Sequence, residues 1–197
     1  MARRRVRGLN TSPVIVGIAG SLRKGSYNAA LLRAASELAP PGTTIERASI
    51  RGIPLYDGDV EAESGIPAVV RDLKEKIASS AGLLLVTPEY NNSMPGVLKN
   101  AIDWLSRPGS DIPRVFGGRP VALMGASPGR FGTVMSQAAW LPVLRALGMR
   151  PWWGPRLLVG GASKVFDESG GLVDESVRVQ LQAFMAGFVE FAVGKKM

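Results

Sequence analysis

The sequence predicts an α/β protein with one parallel sheet and helices on both of its faces. Three observations carry that reading. Short runs of Val, Ile and Leu recur along the chain with little polar alternation, as in strands buried on both faces. Segments with helical spacing separate them, and regular strand–helix alternation calls for parallel crossovers. Three of the runs are followed by loops crowded with Gly, Ser, Asn and Pro, which is where such sheets bind ligands.

The elements follow in order. "VIVGIA", 14–19, is the first strand and stops at Gly20. "NAALLRAASELA" puts Leu31, Leu32, Ala35 and Leu38 on one helical face, and Pro40, Pro41 and Gly42 end it. "TTIERASI", 43–50, alternates and reads as a second strand near an edge, with a polar loop, 51–65, behind it. Pro67 opens a helix that turns Val69, Val70, Leu73, Ile77 and Ala78 inward. "GLLLVT", 82–87, is the third strand, and a helix spans 96–106. "RPVALMGA", 119–126, is the fourth strand. The helix over 133–148 carries an internal Pro142, which is expected to kink it. "PRLLVG" is the fifth strand, and the last helix covers 174–193. Five strands joined by right-handed crossovers suit the flavodoxin-like order 2-1-3-4-5. The basic stretch 1–12 reads as a disordered tail, and 13–197 as one domain.

Composition narrows the chemistry. The 197 residues contain no Cys and no His. Thiolate nucleophiles, Ser-His-Asp triads and zinc sites built on those residues are therefore absent, and no metal site is expected. Catalysis must come from carboxylates, Lys, Tyr, Ser or a bound cofactor. The net charge is +8, and Arg3, Arg4, Arg5 and Arg7 supply half of it. The remainder is scattered without the aromatic–basic interleaving of a nucleic-acid surface, and it suits anionic small molecules equally well. No segment reads as a secretory signal or a membrane span, so a cytoplasmic protein is expected.

Three loops carry candidate chemistry. "GSLRKGSYN", 20–28, opens a helix with Ser21, Ser26 and Asn28 as hydrogen-bonding groups and Arg23 and Lys24 as charges. Hydroxyls, cations and helix-start N–H groups suit a phosphate monoester. Ser26 stands where a triphosphate-binding loop needs Lys. The plainer reading is a helix cap on a basic loop. "TPEYNNSMPG", 87–96, follows the third strand. Two prolines stiffen it, and Asn91 and Asn92 carry both donors and acceptors, as the polar edge of a flat heterocycle such as isoalloxazine requires. An ordinary Asn-rich turn is the alternative. "GASPGRFGT", 125–133, has three glycines that permit close backbone approach to a ligand, or form only a Gly-rich turn.

"GSLRKGSYN", "PLYDGD", "TPEYNNSMPGVLKNAIDWLSR" and "SPGRFGT" occur in this order. Together they resemble the NAD(P)H-dependent FMN reductase family, which includes quinone and chromate reductases. The resemblance runs from about Val14 to the last helix. It implies a flavodoxin-like fold with non-covalent FMN. It also implies hydride supply from NADPH or NADH, and reduction of quinones, free flavin or metal oxyanions such as chromate. The phosphate would lie on residues matching Ser21, Arg23, Ser26, Tyr27 and Asn28, and the ring against those matching Pro88, Glu89, Tyr90, Asn91 and Asn92. Ser127, Gly129 and Arg130 match further contacts. The flavin carries the chemistry, so no catalytic side chain is expected. Such proteins work as homodimers or homotetramers with the site near the subunit boundary. Trp104 and Leu105, beside Val97, Leu98 and Ile102, widen the apolar face of helix 96–106 enough to meet such a partner. A flavodoxin-type electron carrier and a flavin-free binding module are the alternatives.

Overall fold

A computed structural model describes residues 12–194. The basic tail expected at the N-terminus lies outside the described residues except for Ser12. The elements are β1 (Val14–Ala19), α1 (Tyr27–Glu37), β2 (Thr44–Ala48), α2 (Gly58–Ser64), α3 (Ala68–Ser79), β3 (Gly82–Val86) and α4 (Gly96–Leu105). They continue with α5 (Ile112–Val115), β4 (Pro120–Ala126), α6 (Val134–Ala146), β5 (Arg150–Pro151), β6 (Leu157–Val159), α7 (Ala162–Val165) and α8 (Glu175–Val193).

All strand pairs are parallel, in the order β2-β1-β3-β4-β5. The expected single fifth strand is split in two. Arg150 and Pro151 pair with Pro120 and Val121, while Leu157–Val159 pairs with Met124, Gly125 and Ala126. The sheet therefore has six strands, and residues 152–156 lie between the two short pieces as part of neither. Pro151 and Pro155 flank this break, and neither has an N–H to donate to a ladder.

Side chains on each strand alternate between two cores. On β3, Leu84 and Val86 join Ile15, Leu31, Phe184 and Phe188 beneath α1 and α8. Leu83 and Leu85 join Val16, Ile77, Trp104 and Trp140 beneath α3, α4 and α6. Residues i and i+2 of a strand share a face, so a strand covered on both sides reads as an unbroken apolar run. That is why β3 is buried throughout.

Several local features depart from the sequence reading. The loop 51–65 contains α2, capped by the Asp57 side chain, which accepts from Asp59 N–H at 2.9 Å. None of its residues is buried, and Val60 and Ala62 alone make no helical apolar stripe to detect. Pro67 sits at the N-cap of α3 rather than inside it. Helix α6 continues through Pro142 as one helix, so the expected kink is not a break. Trp104 and Leu105 do not face outward. Both are fully buried, and of the apolar residues named on α4 only Val97 is exposed. The breadth of the apolar face is used by the core: Tyr56 packs edge-on against Trp104 with ring centroids 5.0 Å apart.

One buried cation ties the α3–α5 corner together. Lys74 is buried, and its ammonium meets Asp111 at 2.5 Å and donates to the Arg107 carbonyl. The hydrogen bonds from Lys74 and then Arg114 hold the Asp111 carboxyl below its ordinary value. Asp111→Ala would strand the ammonium and is expected to cost about 3 kcal/mol. A Lys74→Met/Asp111→Ala pair should recover most of that loss in urea denaturation. A folded-state pKa depressed below the unfolded one contributes stability above the unfolded value, 3.8, and loses it as pH falls through the folded value. The gap in unfolding midpoint between wild type and Asp111→Ala should therefore be full at neutral pH and close in strong acid.

Candidate functional site

The strand order reverses between β1 and β3, so their connections leave toward opposite faces and a crevice opens beyond their carboxyl ends. The sheet's hydrogen bonding continues past the strands into the crevice. Gly20 N–H donates to Val86 O at 2.9 Å, Thr87 N–H to Met124 O at 2.8 Å, and Ser127 N–H to Val159 O at 2.9 Å. Each candidate loop thus leaves the sheet from a fixed point. Two glycines bring the loops together. A Cβ on Gly20 would lie 2.7 Å from Leu98 Cδ2 and 2.9 Å from Pro88 Cδ. One on Gly125 would lie 2.1 Å from the Thr87 carbonyl oxygen. Real Cβ atoms do not come that close to their neighbours.

The result is a cleft of about 380 Å³ lined by Ser21, Arg23, Ser26, Tyr27, Asn28, Pro88, Glu89, Tyr90 and Ser127, together with Ala126 and Pro128. Its volume is that of a small-molecule site. Asn91, Asn92, Gly129 and Arg130 do not line it. Gly129 stays close, donating its N–H to Ser127 Oγ at 3.1 Å. Arg130 is exposed and lies over the Phe131 ring, 6.0 Å from its centroid. Asn91 and Asn92 have φ of 51° and 57°. They form the two-residue turn of a tiny hairpin in which Tyr90 and Ser93 exchange both backbone hydrogen bonds. Two successive left-handed residues favour Asn, so turn geometry explains this pair.

The loop at the start of α1 is arranged for an anion. Ser26 is the N-cap, and its hydroxyl accepts from Ala29 N–H at 3.2 Å. Ser21 Oγ accepts from the Tyr90 hydroxyl at 3.3 Å and from Arg23 N–H at 3.4 Å. Because both serines accept within the protein, their own protons remain available for a ligand oxygen. The N–H groups of Tyr27 and Asn28 precede the first backbone hydrogen bond of the helix, from Ala30 N–H to Ser26 O, and add the partial positive charge of a helix start.

Two of the residues do something the sequence does not display. Asn28 is buried, and its amide is spent on β4: Nδ2 donates to Ala126 O and Oδ1 accepts from Ala126 N–H, both at 2.9 Å. It clamps the first loop to the end of the fourth strand. Glu89 reaches across to α6, where Oε2 accepts from Met135 N–H at 2.8 Å and Ser136 N–H at 3.0 Å. Helix α6 has no side-chain cap of its own, so a carboxylate from another loop supplies it. Thr87 completes this wall: its Oγ1 accepts from Trp140 Nε1 at 3.1 Å and lies 2.8 Å from Ser136 Oγ. Ser136 and Trp140 sit 49 and 53 residues beyond Thr87, and no local pattern links residues so far apart.

Comparison with known proteins settles the family. Residues 13–163 match the family model described as NADPH-dependent FMN reductase. The chain belongs to that family. It is accordingly a flavin-dependent oxidoreductase that uses FMN and NAD(P)H, and not an electron carrier or a flavin-free module. Over 168 residues it is 48% identical to an NAD(P)H-dependent FMN reductase of Pseudomonas aeruginosa, covering 85% of this chain and 89% of that one. It is 41% identical over 171 residues to a 2-hydroxy-1,4-benzoquinone reductase of a Burkholderia species, covering 87% and 91%. Among solved structures it matches a flavoenzyme NAD(P)H:(acceptor) oxidoreductase of Paracoccus denitrificans. The TM-score there is 0.81 and the identity 33%, over 91% of this chain and 97% of the other. Among the described residues no helix is long and apolar enough to cross a membrane.

The Asn28 clamp makes a direct prediction. Asn28→Ala leaves the N–H and C=O of Ala126 buried and unpaired, at an expected cost of about 3 kcal/mol. In urea denaturation its midpoint should fall well below that of wild type, and the purified variant should retain less flavin.

Proposed function

We propose that the protein is a quinone reductase in which FMN lies across the cleft at the carboxyl ends of β1, β3 and β4. The observation that carries this reading is the joining of a phosphate-type loop to a proline-stiffened loop around one cleft of about 380 Å³. When bound, FMN takes a hydride from NAD(P)H and passes the electrons on to an acceptor.

The residues fit such a cofactor. Ser21 and Ser26 would donate their hydroxyl protons to the phosphate, and Arg23 and the α1 N-terminus would balance its charge. Backbone groups between Pro88 and Asn91 would meet the polar edge of the ring, and Ser127 and Gly129 would flank it from the other side. Glu89 and Asn28, engaged with protein backbone, hold the walls in place rather than bind. Arg130, exposed at the rim, would meet the acceptor or the nucleotide rather than the flavin phosphate. A quinone suits the mouth of the cleft, where the Tyr90 ring is 44% exposed and presents a flat apolar surface to a planar acceptor. The relatives named for quinone reduction support the same substrate class.

We also infer a homodimer. Asn100 accepts from Tyr56 N–H at 2.9 Å and donates to Pro54 O at 2.8 Å, so the loop 54–56 lies along α4. Leu55 on this loop is 83% exposed, and Val97, one turn before Asn100, is 39% exposed. A second copy covering them would shield the cleft mouth from water. The cytoplasm, where NAD(P)H is supplied, is the natural location.

Apoprotein is expected to bind FMN more tightly than riboflavin by about tenfold or more, because only FMN carries the phosphate. Equal affinities in a fluorescence titration would remove the phosphate assignment. The loaded protein should oxidise NAD(P)H with a benzoquinone as acceptor and scatter light as a dimer or larger species at micromolar concentration.

A further inference from the structure

A second groove starts from the flavin cleft. It shares Ser21 and Arg23 with that cleft, and it runs between α1 and the carboxyl end of β2 with a volume of about 380 Å³. Four arginines line it: Arg23, Arg33, Arg47 and Arg51. No carboxylate lines it. Among the described residues none of the four forms an ion pair. The alternation of β2 produces this one-sided charge. Glu46 points to the α3 face, where it pairs with Lys76 at 2.7 Å. Arg47, its neighbour in sequence, faces the opposite side, toward α1.

The guanidinium groups are also positioned. Arg51 donates to Leu22 O at 2.6 Å, and Arg33 donates to the carbonyls of Ser169 and Gly170 at 3.3 and 2.9 Å. Each uses one nitrogen on the backbone and keeps other N–H groups free. An arginine anchored in this way loses less freedom when its remaining donors engage a ligand, and planar forks match phosphate oxygens. Leu32 and Ile50 give the groove an apolar floor. Four unpaired cations over an apolar floor are costly to hold together, and they match a ligand with a dianionic phosphate beside a flat, weakly polar ring.

The flavin phosphate accounts for Arg23 alone of the four, because Ser21, Ser26, Arg23 and the α1 N-terminus already provide its place, and Arg33, Arg47 and Arg51 remain. The reaction brings one further phosphorylated molecule, the reduced pyridine nucleotide, and its two forms differ only by a phosphate monoester on the adenosine ribose. We propose that the groove between α1 and β2 binds the 2′-phosphate and adenosine of NADPH, with Arg47 and Arg51 as the residues that select NADPH over NADH. The proposal rests on the functional reading above, since it requires the nicotinamide to reach a flavin in the adjoining cleft.

The test uses FMN-loaded protein, so that the flavin phosphate loop is filled. Calorimetric titration with adenosine 2′,5′-bisphosphate and with AMP should show the bisphosphate binding about tenfold or more tighter. That preference should weaken as salt is raised. Arg47→Ala should abolish most of the preference. The Arg47 side chain makes no hydrogen bond among the described residues, so its truncation leaves the fold intact. In steady-state kinetics Arg47→Ala and Arg51→Ala should raise KM for NADPH by a similar factor, with kcat unchanged and KM for NADH moved less than about twofold. Three results would overturn the proposal: a wild type that binds bisphosphate and AMP alike, an Arg47→Ala protein that keeps the full preference, or loss of FMN from the variants. The last would assign these arginines to the flavin phosphate. A loaded protein that oxidises neither nucleotide would refute the functional reading instead, and the titration would still report on the groove.

Discussion

Everything in the cleft depends on where the parallel ladder ends. Beyond the last strand residues, the N–H groups of Gly20, Thr87 and Ser127 still donate to the neighbouring strand. Three loops separated by long stretches of chain therefore start from one hydrogen-bonded row. Loop ends set by a ladder cannot drift independently. The tight approaches at Gly20 and Gly125 then leave almost no slack between them. A site for a rigid, flat cofactor needs this precision more than it needs particular reactive side chains, which is consistent with a protein without cysteine or histidine.

Much of the architecture was legible in the sequence because burial on both faces leaves a plain trace. β1, β3 and β4 are apolar runs bounded by Gly or Pro, and α1, α3 and α4 have clear stripes. The short helix α2 was not visible, since every residue of it stays in contact with water and nothing selects a helical pattern. The split of the fifth strand was hidden for another reason. Its first piece is two residues, one of them proline, held in place by pairing to β4 rather than by any propensity of its own.

The loops were legible as loops, but the division of labour within them was not. Of the polar residues expected at the site, Asn28, Glu89, Asn91 and Asn92 hold backbone or set a turn. Asn28 and Glu89 satisfy buried or helix-end backbone groups, and the two asparagines turn a corner. A backbone donor without a partner is costly, so a polar side chain beside one is often needed there before any ligand arrives. What remains free for a ligand is two serine protons, helix-start N–H groups and main-chain atoms. Spacing along a chain records residue types. It does not record which of their lone pairs and protons are already taken.

The interrupted edge of the sheet has a consequence for protein engineering. The two short strands are each registered to β4 by their own pairs, Pro120 and Val121 on one side and Met124, Gly125 and Ala126 on the other. Trp152 closes the first side by donating its N–H to Val121 O at 2.8 Å and packing on Phe184. The stretch 153–156 between these anchors carries no ladder bond, and Trp153 at its tip is 74% exposed. Chain can be spliced in there without shifting the register of either strand, and hence without moving the Ser127–Val159 bond that holds the far wall of the cleft. This break is the natural graft point for an affinity handle, a reporter or a tether to an electrode surface.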